Sequence, residues 1–129
     1  MAIELHEFDP VIYPFKIWIC ITKDFQLILD EHFLDYQTNE RIVWGEEYDD
    51  KSDAATFAVR NKNTHKFGTL IVFANKKAMT VSTIAHEASH GAKDLFHHIG
   101  AEVKHHEPFE YLLGWIAKCC DQVKKNKYD

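Results

Sequence analysis

A long buried helix in the C-terminal half is the feature that most constrains how this chain can fold. Apolar residues recur there at intervals of four and seven positions, which places them on one face of an α-helix. Thr80 and Ser82 are both suitable N-cap residues, and Gly100 suits the position just after a helix end. We therefore predict a helix from about Thr80 to Ile99. Its core-facing stripe is Ile84, Ala88, Leu95 and Ile99.

The same helix carries the motif H-E-x-x-H at His86-Glu87-Ala88-Ser89-His90. Residues four positions apart lie one turn apart on one helix face, so the two imidazoles can bind a single Zn²⁺. Glu87 stands between them and can take a proton from a water that the metal activates. These residue types at this spacing indicate metal-dependent hydrolysis.

Chance is the alternative explanation for the motif. The chain contains 9 His and 20 acidic residues, and a random match has a probability on the order of a few per cent. The two His would then lie on an exposed amphipathic helix. Gly91 argues against chance, because glycine costs a helix roughly 1 kcal/mol relative to alanine and indicates a packing or site requirement. Small residues also suit a helix packed closely under a sheet: Ala85, Ala88, Ser89, Gly91 and Ala92.

Composition and charge restrict the class of protein. With 129 residues, 46% of them hydrophobic, the chain can bury a core, and we expect one domain over residues 1–129. The formal net charge is −5, and the short basic end at Lys124, Lys125 and Lys127 suits a helix C-terminus, so we expect no nucleic-acid partner. The apolar run that begins at Val11 is interrupted by Pro14 and by charged residues, so we expect no membrane span.

Cysteine usage indicates a reducing compartment. The three cysteines are Cys20, Cys119 and Cys120, and an odd number with two adjacent members is a poor disulfide framework. We expect them to be buried as small hydrophobic residues. The first ten residues are acidic and lack a signal-peptide pattern, so we expect a cytoplasmic protein.

Apolar periodicity and turn residues predict the remaining elements. These are a strand at Phe15–Thr22, a helix at Lys23–Leu34 capped by Thr22, a short strand at Arg41–Trp44, two hairpin strands at Ala54–Arg60 and Phe67–Phe73, and a last helix from Glu107 or Pro108 to Lys124. This order predicts an α+β fold, with a small antiparallel or mixed sheet covered by helices.

A catalytic zinc needs a third protein ligand and one open position. The metzincin spacing is excluded, because Lys93 and Phe96 stand where that pattern requires Gly and His. Glu107 and Glu110, near the start of the last helix, are the carboxylate candidates. Histidine is the other option, although the first candidate lies about two turns beyond the pair. The histidine candidates are His97, His98, His105 and His106.

Two segments, Thr83–Ala92 and Glu107–Leu113, resemble small zincin-type metallopeptidases of the gluzincin kind found in phages and gut bacteria. The first half of the chain resembles nothing specific. The resemblance implies a zincin-like fold with the motif on a central helix. It also implies that Zn²⁺ is bound by His86, His90 and Glu107.

The same resemblance assigns roles to further residues. Glu87 would be the general base, and a strand at Thr69–Ala74 could hold an extended substrate by strand addition. Thermolysin-like members carry Asp where this chain has Tyr111, so the residue that orients the ligands differs here. Glu110, Asp94 or Tyr111 could serve in that role or as an alternative ligand.

The expected function is hydrolysis of peptide bonds in a peptide or protein substrate, with Zn²⁺ as cofactor. Tyr111, His105 and His106 are candidates for stabilising the oxyanion of such a reaction. One alternative is a non-catalytic binding or accessory protein derived from a zincin. Another is a structural α+β domain in which the motif is fortuitous.

Overall fold

A five-stranded mixed sheet forms the centre of the computed structural model, which describes residues 3–44, 53–102 and 106–125. The strand order is β1-β2-β5-β4-β3, with β2 and β5 parallel and the other neighbours antiparallel. The elements in chain order are β1 (His6–Phe8), β2 (Lys16–Ile21), α1 (Phe25–His32), β3 (Phe33–Asp35), β4 (Ala54–Asn61), β5 (Phe67–Phe73), a 3-10 turn (Lys76–Ala78), α2 (Val81–Ile99) and α3 (His106–Lys125). This confirms the predicted α+β class with a mixed sheet.

The sheet is covered by helices on both faces, which explains the continuous apolar runs in its central strands. In β2, Ile17 and Ile19 pack in the same core as residues of α2 and α3. Trp18 and Cys20 point to the opposite face, where they pack with residues of α1. Successive strand residues alternate between faces, so β2 contributes to two separate cores.

The first helix is shorter than predicted at both ends. Asp24, not Thr22, is the N-cap, and its Oδ1 accepts from the Leu27 amide at 3.0 Å. The helix ends at His32 because Phe33 begins β3, where it pairs with Asn61. Periodicity predicted Phe33 on the helix, but its buried ring packs against the ring of Trp18 on β2 instead.

Other local predictions near the N-terminus also need correction. The short strands β1 and β3 were not predicted, because three-residue edge strands carry too little periodicity. The segment Arg41–Trp44 is not a strand. Its backbone is bound instead by the Gln26 side chain, whose Nε2 donates to Ile42 O at 2.9 Å and whose Oε1 accepts from Trp44 N at 2.6 Å.

The predicted hairpin of β4 and β5 is confirmed. Asn61 closes the turn, because its Oδ1 accepts from the amides of Asn63 and Thr64 at 2.8 and 3.0 Å. The predicted bounds of β5 match, and β4 extends one residue further, to Asn61. The hairpin brings β4 alongside α2.

Helix α2 forms with the predicted caps. Thr80 accepts from the Thr83 amide at 3.1 Å, and Gly100 adopts a left-handed conformation with φ of 73°. Three members of the predicted stripe are buried, but Ile99 is 36% exposed, so its assignment to the core is wrong. Ile99 lies beyond Phe96, the last buried residue of α2.

Helix α3 runs antiparallel to α2. The rings of Phe96 and Phe109 lie 5.4 Å apart at one end, and Lys124 Nζ donates to Met79 O at 2.7 Å at the other.

Close packing between the helices and the sheet requires a small residue at Gly91. A Cβ there would lie 3.3 Å from Thr69 Cγ2 and 3.5 Å from Ile116 Cδ1. This confirms the predicted packing requirement for that glycine.

All three cysteines are free and buried, as predicted. Burial raises the pKa of the Cys20 and Cys119 thiols to about 12, and that of Cys120 is raised too. These thiols therefore stay protonated near neutral pH and act as small apolar side chains. Among the helices that the structure describes, none is long and apolar enough to cross a bilayer.

Candidate metal centre

His86 and His90 lie side by side on the exposed flank of α2. Their Nε2 atoms are 3.2 Å apart, and their ring centroids are 4.8 Å apart. Two nitrogens bound to one tetrahedral Zn²⁺ at the usual bond length lie about 3.3 Å from each other. The pair therefore fits two ligand positions of a zinc ion. Without metal, the same distance suits a hydrogen bond in which one ring carries the Nε2 proton.

Glu87 lies beside this pair but on the sheet-facing side of α2. Its side chain is buried, with 7% of the residue exposed. Oε1 accepts from the Thr56 hydroxyl at 2.7 Å, and Oε2 lies 4.0 Å from His86 Nε2. One carboxylate oxygen is thus bound to the sheet, and the other lies on the side of His86.

Thr56 is a site residue that sequence reasoning missed. It lies on β4, where Ala54, Thr56 and Ala58 alternate with residues of the opposite face. Alternation could have shown that Thr56 faces a helix. It could not show which residue of α2 lies opposite, because that contact joins residues 31 positions apart.

A second threonine binds the other carboxylate on this side of α2. Thr69 Oγ1 donates to Asp94 Oδ2 at 3.0 Å. Burial raises the pKa of Asp94, and this outweighs the hydrogen bond from Thr69 and the nearby charges of His90 and His97, which lower it. Asp94 thus lies close enough to His90 for their charges to interact.

Glu107 and Glu110 are not brought beside the histidine pair. Both are exposed and lie in the first turns of α3. The ring contact between Phe96 and Phe109 places that end of α3 beside the end of α2, about 9 Å along the axis beyond His90. Tyr111, also on α3, is 75% exposed.

The other histidine candidates have separate surroundings. His97 is exposed, and His98 is half-buried, with Nδ1 2.7 Å from the Tyr36 hydroxyl and its ring against Phe15 and Phe67. His105 lies outside the described residues, as does the side chain of His106. Within the described ranges, no three His, Cys, Asp or Glu side chains converge closely enough to hold a metal ion.

Two cavities follow β4 on either side of Thr56. One, of about 300 Å³, has Ala54, His86 and Glu87 in its wall. The other, of about 340 Å³, is bordered by residues of both elements: Thr56, Asp94 and His97. The two cavities share no lining residue, and the first of them lies at the motif.

Within the described residues, the first half of β4 is a free edge. Pairing with β3 begins only at Val59, apart from one bond from Tyr36 N to Ala58 O at 3.2 Å. Among the described residues, no strand pairs with Ala54–Phe57 on the side away from β5. By contrast β5 is paired on both sides, so the expectation that Thr69–Ala74 receives an extended substrate is wrong.

No protein-family model, curated protein or solved structure matches this chain.

Proposed function

We propose that this chain is a zinc-dependent metallopeptidase with a zincin-like site on α2. The observation that carries the proposal is the approach of the His86 and His90 Nε2 atoms to 3.2 Å, the separation that a shared zinc ion requires. The position of Glu87 supports it, because its Oε2 faces the pair at 4.0 Å from His86 Nε2. A chance motif would not require a buried carboxylate at this point.

In this proposal His86 and His90 hold the metal. Zinc, when bound, supplies a Lewis acid that polarises the substrate carbonyl and makes water more acidic. Glu87 accepts the proton of the attacking water and donates it to the leaving amine. Its burial keeps the carboxylate out of bulk water, where a surface glutamate would be solvated on every side.

Three carboxylates are candidates for the third ligand. The family resemblance proposes Glu107, with Glu110 one turn further along α3. Asp94, the third candidate, lies one turn beyond His90 on the same helix, although its Oδ2 is bound by Thr69 on the sheet side. Replacing each acid by its amide and measuring zinc affinity identifies the ligand, because only the true ligand contributes a bond to the ion.

The free edge of β4 is the proposed site for the substrate. An extended peptide can add to such an edge through backbone hydrogen bonds. Alternation of the backbone groups directs the N–H and C=O of Thr56 away from β5, since the odd-numbered residues of β4 bond to β5. A peptide bound there would pass beside Glu87. The buried free thiols support a cytoplasmic location for this activity.

Glu87→Gln tests the proposed function. The amide cannot accept a proton, so we expect the loss of at least about 100-fold in peptidase kcat/KM with zinc content unchanged. Metal analysis and cleavage of a peptide library measure the two quantities. Full activity in Glu87→Gln would exclude this role for the glutamate.

A non-catalytic binding protein is the second candidate. It is favoured by the free β4 edge together with the finding that, within the described residues, no third His, Cys, Asp or Glu converges with the histidine pair. In that case the wild-type protein would bind the same peptides as the Glu87→Gln variant. It would not cleave them, even with zinc bound. Any zinc-dependent turnover by the wild-type chain excludes it.

A further inference from the structure

We propose that Thr56 is the positioning residue that orients the Glu87 carboxylate toward the histidine pair. This inference rests on the proposed function, because it assigns Thr56 a role in the same site. The contact joins β4 to α2 across the sheet–helix interface and is formed by the half-buried Thr56 and the buried Glu87.

The distances show which acceptor the Thr56 hydroxyl uses. Its Oγ1 lies 2.7 Å from Glu87 Oε1 and 3.4 Å from Glu87 O. A hydroxyl has one proton to donate, and the shorter contact has the length of a strong bond to a carboxylate. The side chain of Glu87 is therefore the partner, and the longer contact to its backbone is secondary.

Thr56 is suited to hold another side chain because it is itself rigid. A β-branched residue has few χ1 rotamers, and β4 is held in place by pairing with β5, where Thr56 lies opposite Ile71. Glutamate has three side-chain torsions and would otherwise adopt several rotamers. A site placed on a paired strand holds its geometry more closely than one placed on a loop.

The hydrogen bond also separates the roles of the two carboxylate oxygens. Oε1 is occupied by the hydroxyl, whereas Oε2 faces His86 Nε2 at 4.0 Å. Oε2 is therefore the oxygen that receives the proton from water. A hydroxyl carries no net charge, so it holds the carboxylate without the competing ion pair that a Lys or Arg would form.

The test compares Thr56→Val with Thr56→Ser in the zinc-loaded protein. Valine has nearly the shape of threonine but no hydroxyl, so we expect kcat to fall about 10- to 100-fold with KM and zinc content unchanged. Serine restores the donor, so its kcat should stay within about threefold of the wild type. Equal kcat for Thr56→Val and the wild type would overturn the inference.

Thr80→Ala is the matched control for stability. It removes another threonine hydroxyl that binds α2, at the N-cap, where Oγ1 accepts from Thr83 N at 3.1 Å. It should lower the melting temperature but leave kcat unchanged. If kcat falls as much in Thr80→Ala as in Thr56→Val, the effect is structural and the inference fails.

A metal-free measurement separates this inference from the proposed function. The ¹³C chemical shift of the Glu87 carboxyl carbon in the protein without zinc reports whether the carboxylate is bound. We expect it to change in Thr56→Val and to be restored in Thr56→Ser. An unchanged shift in Thr56→Val overturns the positioning role. If the wild-type protein is inactive, the proposed function is overturned instead. The ¹³C chemical shift then decides by itself whether Thr56 holds the Glu87 carboxylate.

Discussion

At the residue scale, the two faces of α2 give its polar side chains different environments. His86 and His90 are exposed on one flank, whereas Glu87 and Asp94 are directed to the sheet, where threonine hydroxyls bind them. A buried carboxylate without a donor would be costly, and each of these two has one. The site thus combines solvent-accessible nitrogen donors with a shielded carboxylate.

The histidine pair leads to a prediction about metal binding. His90→Ala removes one of two nitrogens that converge, so we expect zinc affinity to fall about 100-fold or more. His97→Ala is the control, because His97 is also exposed on α2 but does not contact His86. Isothermal titration with Zn²⁺ measures both variants. Equal loss of affinity in the two variants would contradict a site at the pair.

At the element scale, the approach of α2 to the sheet depends on the small size of Gly91. At Gly91, the residue that follows the motif, the helix packs against β5 and α3. Interiors are packed too densely to accept a larger side chain there without displacement of the helix. Packing at this one residue therefore limits how large a side chain can lie between α2, β5 and α3.

Gly91→Leu is expected to destabilise the fold by about 1–3 kcal/mol, because the added atoms overlap Thr69 and Ile116. Gly114→Leu is the matched control, since a Cβ added at Gly114 would have no atom within 4 Å and leucine favours a helix. Urea unfolding followed by circular dichroism measures both. The prediction is wrong if Gly91→Leu is as stable as Gly114→Leu.

At the scale of the whole molecule, strand order determines which strand edge is open beside α2. β5 lies inside the sheet, between β2 and β4, whereas among the described residues the first half of β4 has no strand on its outer side. The edge of β4 at Thr56 adjoins Glu87 of α2, next to the histidine pair in sequence. An edge of this kind can accept an extended ligand by strand addition, as we propose for the substrate.

Hydrogen exchange tests this edge. In the free protein the Thr56 amide, which faces away from β5, should exchange faster than the Phe57 amide, which faces β5. Adding a peptide that the wild type cleaves to the Glu87→Gln variant should slow exchange at Thr56 but leave Phe57 unchanged. Amide exchange measured by NMR distinguishes the two positions. Exchange at Thr56 that is unaffected by bound peptide would place the substrate elsewhere.

Local chemistry in the sequence was sufficient for much of the fold. Caps, periodicity and turn residues predicted α2, the hairpin of β4 and β5, and the last helix, because these elements are stabilised by contacts close in sequence. Predictions from local sequence were wrong where contacts between residues far apart in the chain decide the structure. Phe33 left its predicted helix because strand pairing and a buried ring contact favour β3.

The sequence by itself determined that His86 and His90 lie on one helix face, one turn apart, since helical spacing alone requires it. Only the tertiary structure decided that Glu87 faces the sheet and is bound by Thr56, that Glu107 lies beyond the end of the pair, and that, among the described residues, the first half of β4 is open. These three facts depend on sheet order and helix register, which arise from packing between residues far apart in the chain.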